Sequence, residues 1–314
     1  MIDAAVRWAP LRALVATLGA LAFVTVGFVG VYRYLDGYWV YRGFPPPSDP
    51  AYVSTLGTEQ TIEVASPAVG RKQQVDVYLP PGYSTHAHRR YPVLYLLHGE
   101  PGRPAAFLET VRMGVVEDEL VALRRAAPVI LVMPFGSTGT FNDKEWANGI
   151  RPHENWETFL ARDVVRAVDA RYRTIRKGSA RGIGGLSEGG YGAINIAIHH
   201  PGEFRVVESW SGYERADDLG SIFGHRRSLL RRNSPLDSLA TAAAALRRAH
   251  SYFWLYTGRD DRFRSENVAF ARLLARDRIP HRLLVVDGGH NWALWRGNAA
   301  SSYLVASAHL RHAP

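Results

Sequence analysis

Hydrophobic and polar positions divide the chain into two parts. Residues 13–32 form an uninterrupted uncharged run, ALVATLGALAFVTVGFVGVY, between Arg12 and Arg33. From about residue 51 onward, short apolar runs typical of buried strands alternate with stretches in which apolar residues recur every three or four positions, as in amphipathic helices. The pattern therefore predicts one long apolar helix followed by an α/β domain.

The second part predicts a mostly parallel sheet with helices on both faces, because strands alternate with helices. Residues 61–65 and 74–79 alternate between polar and apolar side chains and flank Pro67 and Gly70, which predicts an antiparallel hairpin. The continuous apolar runs predict strands that are buried on both faces. The further predicted strands lie at 92–97, 128–133, 180–183, 205–210, 251–257 and 282–286, and the predicted helices at 115–125, 156–172, 191–199, 267–276 and 291–310.

Residues 213–250 interrupt the alternation of strands and helices. This segment carries many arginines and an alanine-rich helix, which predicts a cap or insertion over the carboxyl edge of the sheet. We assign residues 1–35 to a short cytoplasmic tail and a transmembrane segment. Residues 36–50, rich in aromatic residues and proline, are the predicted linker, and residues 51–314 form the predicted α/β domain.

The uncharged run is long enough to cross a bilayer, since about 20 residues at ~1.5 Å each span a hydrocarbon core of ~30 Å. A cleaved signal peptide is the alternative, because residues 20–22 resemble a cleavage site, but apolar sequence continues after them. A buried core helix is a further alternative. The aromatic residues that follow the run predict an interfacial belt. They are Tyr32, Tyr34, Tyr38, Trp39 and Tyr41.

The orientation of the span rests on the short segment before it. Arg7 and Arg12 precede the span and Arg33 and Arg42 follow it, so the arginines are nearly balanced. Because a tail of about a dozen residues usually stays inside, we expect a single-pass protein of the cell membrane with an extracytoplasmic domain.

Composition limits the classes of function. The chain of 314 residues has a net charge of +9, but no run of lysine and arginine interleaved with aromatic residues, which argues against nucleic-acid binding. The basic charge favours anionic lipid surfaces. The absence of cysteine excludes disulfides, thiolate catalysis and cysteine-ligated metals. No cluster of histidine and carboxylates has metal-ligand spacing, so we expect neither a metal nor a cofactor.

Residues 184–190 have the sequence GGLSEGG and lie between a predicted strand and a predicted helix. A strand that enters a helix through Gly-x-Ser-x-Gly is typical of the nucleophile elbow. Side chains at Gly185 and Gly189 would collide with neighbouring elements, and the turn would lift the Ser187 hydroxyl off the sheet. An ordinary glycine-rich turn is the alternative for the pattern taken alone.

A serine nucleophile needs a base, and the base needs an acid that orients it. In folds with a nucleophile elbow, the acid and the histidine follow the serine in chain order. The strand at 251–257 leads to Asp260 and Asp261, of which we choose Asp261; a solvated turn or a helix cap is the alternative role. His290 follows the last predicted strand after two glycines. The predicted triad is therefore Ser187, Asp261 and His290.

Two backbone amides are the predicted donors of an oxyanion hole. Glu188 follows the nucleophile, and Glu100 lies in the loop after the strand at 92–97, where His98 either braces the loop or shuttles protons. Carboxylates near the reacting carbonyl oppose an oxyanion. A cationic substrate group, such as the ammonium of an aminoacyl ester, would offset them; the alternative is that both side chains point away and pair with arginines.

Five stretches together resemble one known family. From about Ile62 to its end, the chain resembles the esterase D family of α/β-hydrolases, which includes S-formylglutathione hydrolases, feruloyl and enterochelin-type esterases and secreted mycolyltransferases. The resemblance implies the triad, the oxyanion hole and a pocket bordered by residues 142–146. The membrane segment lies outside it, as does Glu188, where a neutral residue is usual. The matching stretches are YPVLYLLHGEPG (91–102), GLSEGGYGAINIAIHHPGEF (185–204), ESWSGY (208–213), TGRDD (257–261) and GGHNWALW (288–295).

The implied activity is hydrolysis of a carboxylic ester through an acyl-serine intermediate. Since an alcohol can replace water in the second step, an acyltransferase of the mycolyltransferase type is the alternative. A non-catalytic binding or scaffold protein is the alternative from another class. The membrane segment suggests a cell-envelope lipid, glycolipid or aminoacyl-lipid ester as substrate. The predicted substrate contacts are His98, Glu145, Trp146 and Trp292.

Overall fold

The computed structural model of the chain describes residues 3–41, 50–139 and 144–312. Contacts between residues divide it into two compact units, Met1–Pro45 and Pro46–Pro314. The described part of the first unit is one helix, α1 (Asp3–Tyr41), whose side chains are described for residues 12–31. Within the described residues, Arg12–Val31 is the one segment long and apolar enough to cross a membrane, on length and composition alone.

Helix α1 is longer than the predicted span. The predicted linker at 36–50 begins inside the helix, because α1 continues to Tyr41. Gly37 weakens a helix without ending it, and the first proline after the span is Pro45. The rest of the linker, residues 42–49, lies outside the described residues. So do the side chains of the predicted aromatic belt, Tyr32, Tyr34, Tyr38, Trp39 and Tyr41.

The second unit is built on an eight-stranded mixed sheet with the order β1-β2-β4-β3-β5-β6-β7-β8. Strand β2 is antiparallel to both of its neighbours, β1 and β4, and the remaining pairs are parallel. This topology confirms the predicted α/β-hydrolase fold and the hairpin at its edge. The strands are β1 (Thr58–Ser66), β2 (Arg71–Leu79), β3 (Val93–Leu97), β4 (Ile130–Pro134), β5 (Arg181–Leu186), β6 (Val206–Trp210), β7 (Tyr252–Gly258) and β8 (His281–Val286).

Helices cover both faces of the sheet and create two hydrophobic cores. Successive strand residues point to opposite faces. In β3, Val93 and Leu97 pack into one core while Leu94 packs into the other, which explains the continuous apolar run. The helices are α2 (Ala106–Glu109), α3 (Met113–Ala122), α4 (Trp156–Thr158), α5 (Val165–Arg171), α6 (Glu188–His199), α7 (Gly220–Phe223), α8 (Arg227–Arg232), α9 (Pro235–Arg248), α10 (Arg264–Arg276) and α11 (Trp292–His309), with a π-helical segment, Phe159–Val164, joining α4 to α5.

The segment predicted as an insertion, residues 213–250, contains α7, α8 and α9. Helix α9 contributes Leu239 and Leu246 to the larger core beside the sheet. Helix α7 instead forms a small separate cluster through Ile222 and Phe223. Helix α9 is therefore part of the helical layer, and the cap role remains a prediction for the stretch before it.

A buried carboxylate joins α4 to the end of α6. Glu157 is 5% exposed and accepts hydrogen bonds from His199 Nδ1 and His200 Nε2, each at 2.8 Å. Burial by itself raises the pKa of Glu157, but the two imidazole hydrogen bonds outweigh it and lower the pKa to about 2. Because this pKa lies below its ordinary value of 4.5, the stabilisation is present above about pH 4.5 and is lost as the pH falls toward 2.

We expect Glu157→Gln to lower the free energy of unfolding of the full chain by roughly 3 kcal/mol at pH 7, since one pKa unit corresponds to about 1.4 kcal/mol. Urea unfolding followed by tryptophan fluorescence measures this difference, which should shrink at pH 3. Glu63→Gln is the matched control, because Glu63 forms an exposed pair with Lys72 and should change stability by less than about 0.5 kcal/mol. An equal loss of unfolding free energy at pH 7 and pH 3 would contradict a stabilising role of the ionised Glu157 carboxylate.

Candidate active site

Ser187 lies in a tight turn between β5 and α6. Its φ of 55° and ψ of −119° form a backbone conformation that residues with a side chain rarely adopt. A Cβ added at Gly189 would lie 1.9 Å from the Leu97 carbonyl oxygen, and one added at Gly185 would lie 2.5 Å from the same oxygen. Both positions therefore require glycine, and the close packing of the turn against β3 presents the Ser187 hydroxyl above the sheet.

The three predicted triad side chains meet at the carboxyl edge of the sheet. His290 Nε2 lies 2.9 Å from Ser187 Oγ, and His290 Nδ1 lies 3.0 Å from Asp261 Oδ2. The second carboxylate oxygen of Asp261 accepts the Phe263 N–H at 2.8 Å. Asp260, the alternative acid, is exposed. The three residues follow β5, β7 and β8, so neighbouring strand ends bring together positions far apart in the sequence.

The contacts of Asp261 keep it ionised and orient the imidazole. Burial alone raises the pKa of Asp261, but the hydrogen bonds from His290 and the Phe263 amide lower it below its usual value. An ionised Asp261 accepts the Nδ1–H of His290, which leaves Nε2 as the acceptor that faces Ser187. In this tautomer the Ser187 hydroxyl donates to His290, the arrangement that proton removal from the serine requires.

Two aromatic rings hold the His290 imidazole in place. Phe263 lies edge-on to it at 5.3 Å and Trp295 at 5.1 Å, measured between ring centroids. The sequence patterns single out neither ring as a site residue. Their only signal is position, since Phe263 follows Asp261 by two residues and Trp295 follows His290 by five.

The predicted oxyanion donors flank the nucleophile. Glu188 is the first residue of α6, where amide groups have no acceptor within the helix. The loop after β3 lies against the turn on the other side, because a Cβ added at Gly99 would be 3.0 Å from Ser187 Cβ. Glu100 follows Gly99 and is exposed. These positions suit the two donors of an oxyanion hole.

The side chain of Glu188 contacts a neighbouring loop. It is 2% exposed, and its Oε1 accepts the backbone N–H of Glu145 at 2.8 Å. Glu145 itself has a left-handed backbone, with a φ of 55°, and is partly buried. Glu188 therefore supports the loop that carries Glu145. Residues 142 and 143 of the predicted pocket border lie outside the described residues.

His98 braces two loops and is almost fully buried, and its contact with substrate stays a prediction. It is 1% exposed, its Nδ1–H donates to the Gly99 carbonyl at 3.0 Å, and its Nε2 accepts the Gly136 N–H at 3.0 Å. Burial lowers the pKa of His98 to about 4, so the ring is neutral at physiological pH. With both ring nitrogens engaged, His98 takes the bracing role rather than proton shuttling.

Trp146 and Trp292, two further predicted substrate contacts, are buried as well, and their contact with substrate stays a prediction. Trp146 is fully buried, and its Nε1–H donates to the His98 carbonyl at 3.0 Å. Trp292 is 7% exposed and packs edge-to-face on Trp295 at 5.0 Å. Both indoles support residues near the site instead of lining an open surface. Of the four predicted contacts, Glu145 alone has a partly exposed side chain.

Both histidines of the site have protein partners at both ring nitrogens. Both ring nitrogens of His290 are engaged by Ser187 and Asp261, and both of His98 by backbone groups. Over residues 3–41, 50–139 and 144–312, no group of three or more histidines and carboxylates could hold a metal ion. The chemistry that this arrangement can perform is activation of a serine hydroxyl.

Comparison with known proteins identifies the family. The sequence profile of the family described as Putative esterase matches residues 66–300, most of the second unit. The chain belongs to this esterase family. The match confirms the resemblance to α/β-hydrolases of the esterase D type.

Individual proteins are similar to this chain over different shares of their length. Esterase Rv1288 of Mycobacterium tuberculosis (strain ATCC 25618 / H37Rv) is 34% identical over 145 residues, which are 46% of this chain and 30% of that protein. The chain thus matches less than a third of that curated relative. A solved ferulic acid esterase has a TM-score of 0.70 at 24% identity, covering 81% of this chain and 100% of that one. An S-formylglutathione hydrolase from Agrobacterium tumefaciens has 0.68 at 17% identity, covering 85% and 100%. The two structures support the fold.

Proposed function

We propose that this esterase is a membrane-anchored carboxylic ester hydrolase that works through an acyl-serine intermediate on Ser187. The observation that carries the proposal is the hydrogen-bonded line from Asp261 through His290 to Ser187 Oγ, with distances of 3.0 and 2.9 Å. Membership of the esterase family supports an ester as substrate. A non-catalytic scaffold would have no need of an ionised acid, an oriented imidazole and a serine held in a strained turn.

In the first half of the reaction, Ser187 Oγ attacks the ester carbonyl carbon while its proton passes to His290 Nε2. The carbonyl oxygen becomes an oxyanion that the Glu188 and Glu100 amides stabilise. The intermediate then collapses, the bond to the alcohol oxygen breaks, and the alcohol takes the proton from His290. Ser187 is left as an acyl ester.

In the second half, His290 takes a proton from water, and the water oxygen attacks the acyl carbon. Collapse of this intermediate releases the carboxylic acid, and the proton on His290 returns to Ser187. An alcohol in the place of water would produce a new ester, which is the acyltransferase alternative. The two outcomes share every residue of the triad and differ only in the acceptor.

A membrane anchor would hold the proposed reaction at the cell envelope. Arg12–Val31 suits a span by length and composition, and the short segment before it favours a catalytic domain outside the cytoplasm. Envelope lipid, glycolipid and aminoacyl-lipid esters are therefore the proposed substrate classes.

Incubation of the full chain with extracted envelope lipids, followed by mass spectrometry, tests the proposal. We expect free carboxylic acids to accumulate with the wild-type protein and not with Ser187→Ala. New esters of an added alcohol would instead identify the transferase. Identical product profiles for the two proteins would reject both forms of the proposal.

Among the proposed substrate classes, the aminoacyl lipids have the weakest support, because the Glu188 carboxylate already has a partner within the protein. This side chain is nearly buried, and the Glu145 amide engages its Oε1. We expect Glu188→Gln to leave the ratio of kcat/KM between an alanyl ester and an acetyl ester unchanged within about twofold, because glutamine keeps the acceptor for Glu145.

Glu100→Gln is the matched control for this comparison, since Glu100 is exposed and carries the other predicted carboxylate. A loss of about tenfold or more in the preference for the cationic ester, seen with Glu188→Gln and not with Glu100→Gln, would overturn this expectation and favour the aminoacyl lipid.

A further inference from the structure

The chain enters the second unit at the end of the sheet opposite to Ser187. Strand β1 runs parallel to β4, because both are antiparallel to β2. Thr58, the first residue of β1, lies level with the start of β4, whereas Ser187 follows the last residue of β5. A strand of the length of β5 measures about 20 Å. Along the strand direction, the entry point and the nucleophile are therefore separated by roughly that length.

The entry segment is held on α3. The Tyr52 hydroxyl donates to Glu119 Oε1 at 2.7 Å, and the Gly57 N–H donates to Asp118 Oδ1 at 3.0 Å. Helix α3 runs toward the amino ends of the strands, because its last residue, Ala122, precedes β4 by a short loop. The first described residues after the membrane span thus pack beside the end of α3.

A cleft with a cationic rim lies at the same end of the sheet. It is shallow and open to solvent, has a volume of about 700 Å³, and is bordered by the ends of α3 and α11 and by the segments that precede β3 and β4. Arg89, Arg124, Arg125 and His312 line it over an apolar floor that includes Leu304, and no lining residue is acidic. Among the residues described, none of the three exposed arginines forms a salt bridge.

Exposed apolar side chains accompany this cleft. Leu123 follows the last residue of α3 and precedes Arg124 of the cationic rim, and Leu56 lies in the entry segment that is held on the same helix. Large exposed apolar side chains are few in the described part of the second unit, which makes this concentration informative. They are Tyr52, Leu56, Leu123, Ile150 and Val285.

We propose that the entry-side surface, formed by Arg89, Arg124, Arg125, Leu56 and Leu123, docks on an anionic lipid bilayer. Guanidinium groups attract anionic headgroups, and apolar side chains between them enter the interface. The inference rests on the proposed membrane anchoring.

Docking by this surface directs the catalytic site away from the bilayer. Ser187, Asp261 and His290 lie at the carboxyl ends of the strands, about 20 Å beyond the entry end. A lipid in the docked leaflet would have to leave it to reach Ser187. The substrate ester therefore belongs to envelope material that approaches from the side facing away from the membrane, which narrows the proposed substrate class.

Site-specific fluorescence tests the docking, and the absence of cysteine allows single labels. A probe at Ala308→Cys reports the cleft, and a probe at Asp287→Cys, in the exposed loop after β8, reports the catalytic end. The full chain is placed in nanodiscs whose lipids carry a headgroup quencher, with or without phosphatidylglycerol. We expect quenching at position 308 in anionic discs, reversal by high salt, and none at position 287.

The triple variant Arg89→Gln, Arg124→Gln, Arg125→Gln should lower the ratio of docked to free domain about a hundredfold. A matched control removes the same charge at exposed arginines of the insertion, Arg226→Gln, Arg227→Gln and Arg231→Gln, and should dock as the wild type does.

Equal quenching in neutral and anionic discs, unchanged docking of the first triple variant, or no quenching at position 308 would each overturn the proposal. The last result would favour a protein partner for this surface. Both triple variants should hydrolyse a soluble ester at the wild-type rate. This assay therefore tests the proposed hydrolase function independently of docking.

Discussion

Ser187→Ala should lower kcat for a soluble ester by about 10⁵–10⁶-fold. Alanine removes the oxygen that His290 Nε2 contacts at 2.9 Å, and with it the acyl-enzyme route. What remains is catalysis by the oxyanion donors and by substrate binding, which is worth roughly 10³–10⁴-fold over water in comparable enzymes. Initial rates with a chromogenic ester, measured on the full chain in detergent, provide the comparison.

The fold of Ser187→Ala should be unchanged, because glycines 185 and 189 and the packing against β3 define the turn. Circular dichroism and thermal unfolding check this point. Ser221→Ala, at an exposed serine in α7, is the matched control and should retain full activity. A loss of less than about tenfold in Ser187→Ala would show that another residue performs the chemistry.

Asp261→Asn should lower kcat about 10⁴-fold while the geometry of the site is preserved. The asparagine carbonyl oxygen can still accept the Phe263 N–H, which Asp261 Oδ1 now accepts at 2.8 Å. Its amide nitrogen would then donate to His290 Nδ1 and force the proton onto Nε2. In that tautomer Nε2 cannot accept the proton of Ser187, so the nucleophile is not activated.

Asp260→Asn is a close control for this prediction, because Asp260 is the neighbouring residue, is exposed, and carries the same charge. We expect its kcat to stay within about twofold of the wild-type value. The pair of variants also tests the choice between two adjacent aspartates directly. A large loss in Asp260→Asn with little effect of Asp261→Asn would reverse the assignment.

The positions of the triad residues could be predicted from the sequence because each residue follows a strand of the sheet. Ser187 is marked by glycines that the tight turn requires, and Asp261 and His290 follow apolar runs that become β7 and β8. Parallel strands deliver their carboxyl ends to one edge, so three strand ends suffice to predict a cluster. The number of residues between the three positions in the chain therefore does not affect this prediction.

The direction and burial of individual side chains could not be predicted in the same way. His98 and Trp146 occur in motif-rich loops, yet both are turned inward, and their hydrogen bonds tie the loop after β3 to its neighbours. Partial exposure distinguishes Glu145 from them, and it depends on how several loops pack together. A pattern in one segment carries no information on such contacts.

Contacts between segments that are distant in the chain could not be predicted either, because local sequence patterns do not show which segments meet. Glu157 gains its two imidazole partners only when α4 meets the end of α6. The net charge of +9 is visible in the composition, but the fold decides that Arg89 lies in one cleft with Arg124 and Arg125. Local patterns therefore predict elements and strand-end residues, while long-range packing determines the bracing groups and the surface charge.

The most direct test of the acyl-serine mechanism is peptide mass spectrometry after reaction of the full chain with a fluorophosphonate, which forms a stable ester with an activated serine. We expect a single adduct, on the peptide that contains Ser187, and its loss in Ser187→Ala. An adduct on a different serine, or no adduct on the folded wild-type chain, would contradict it.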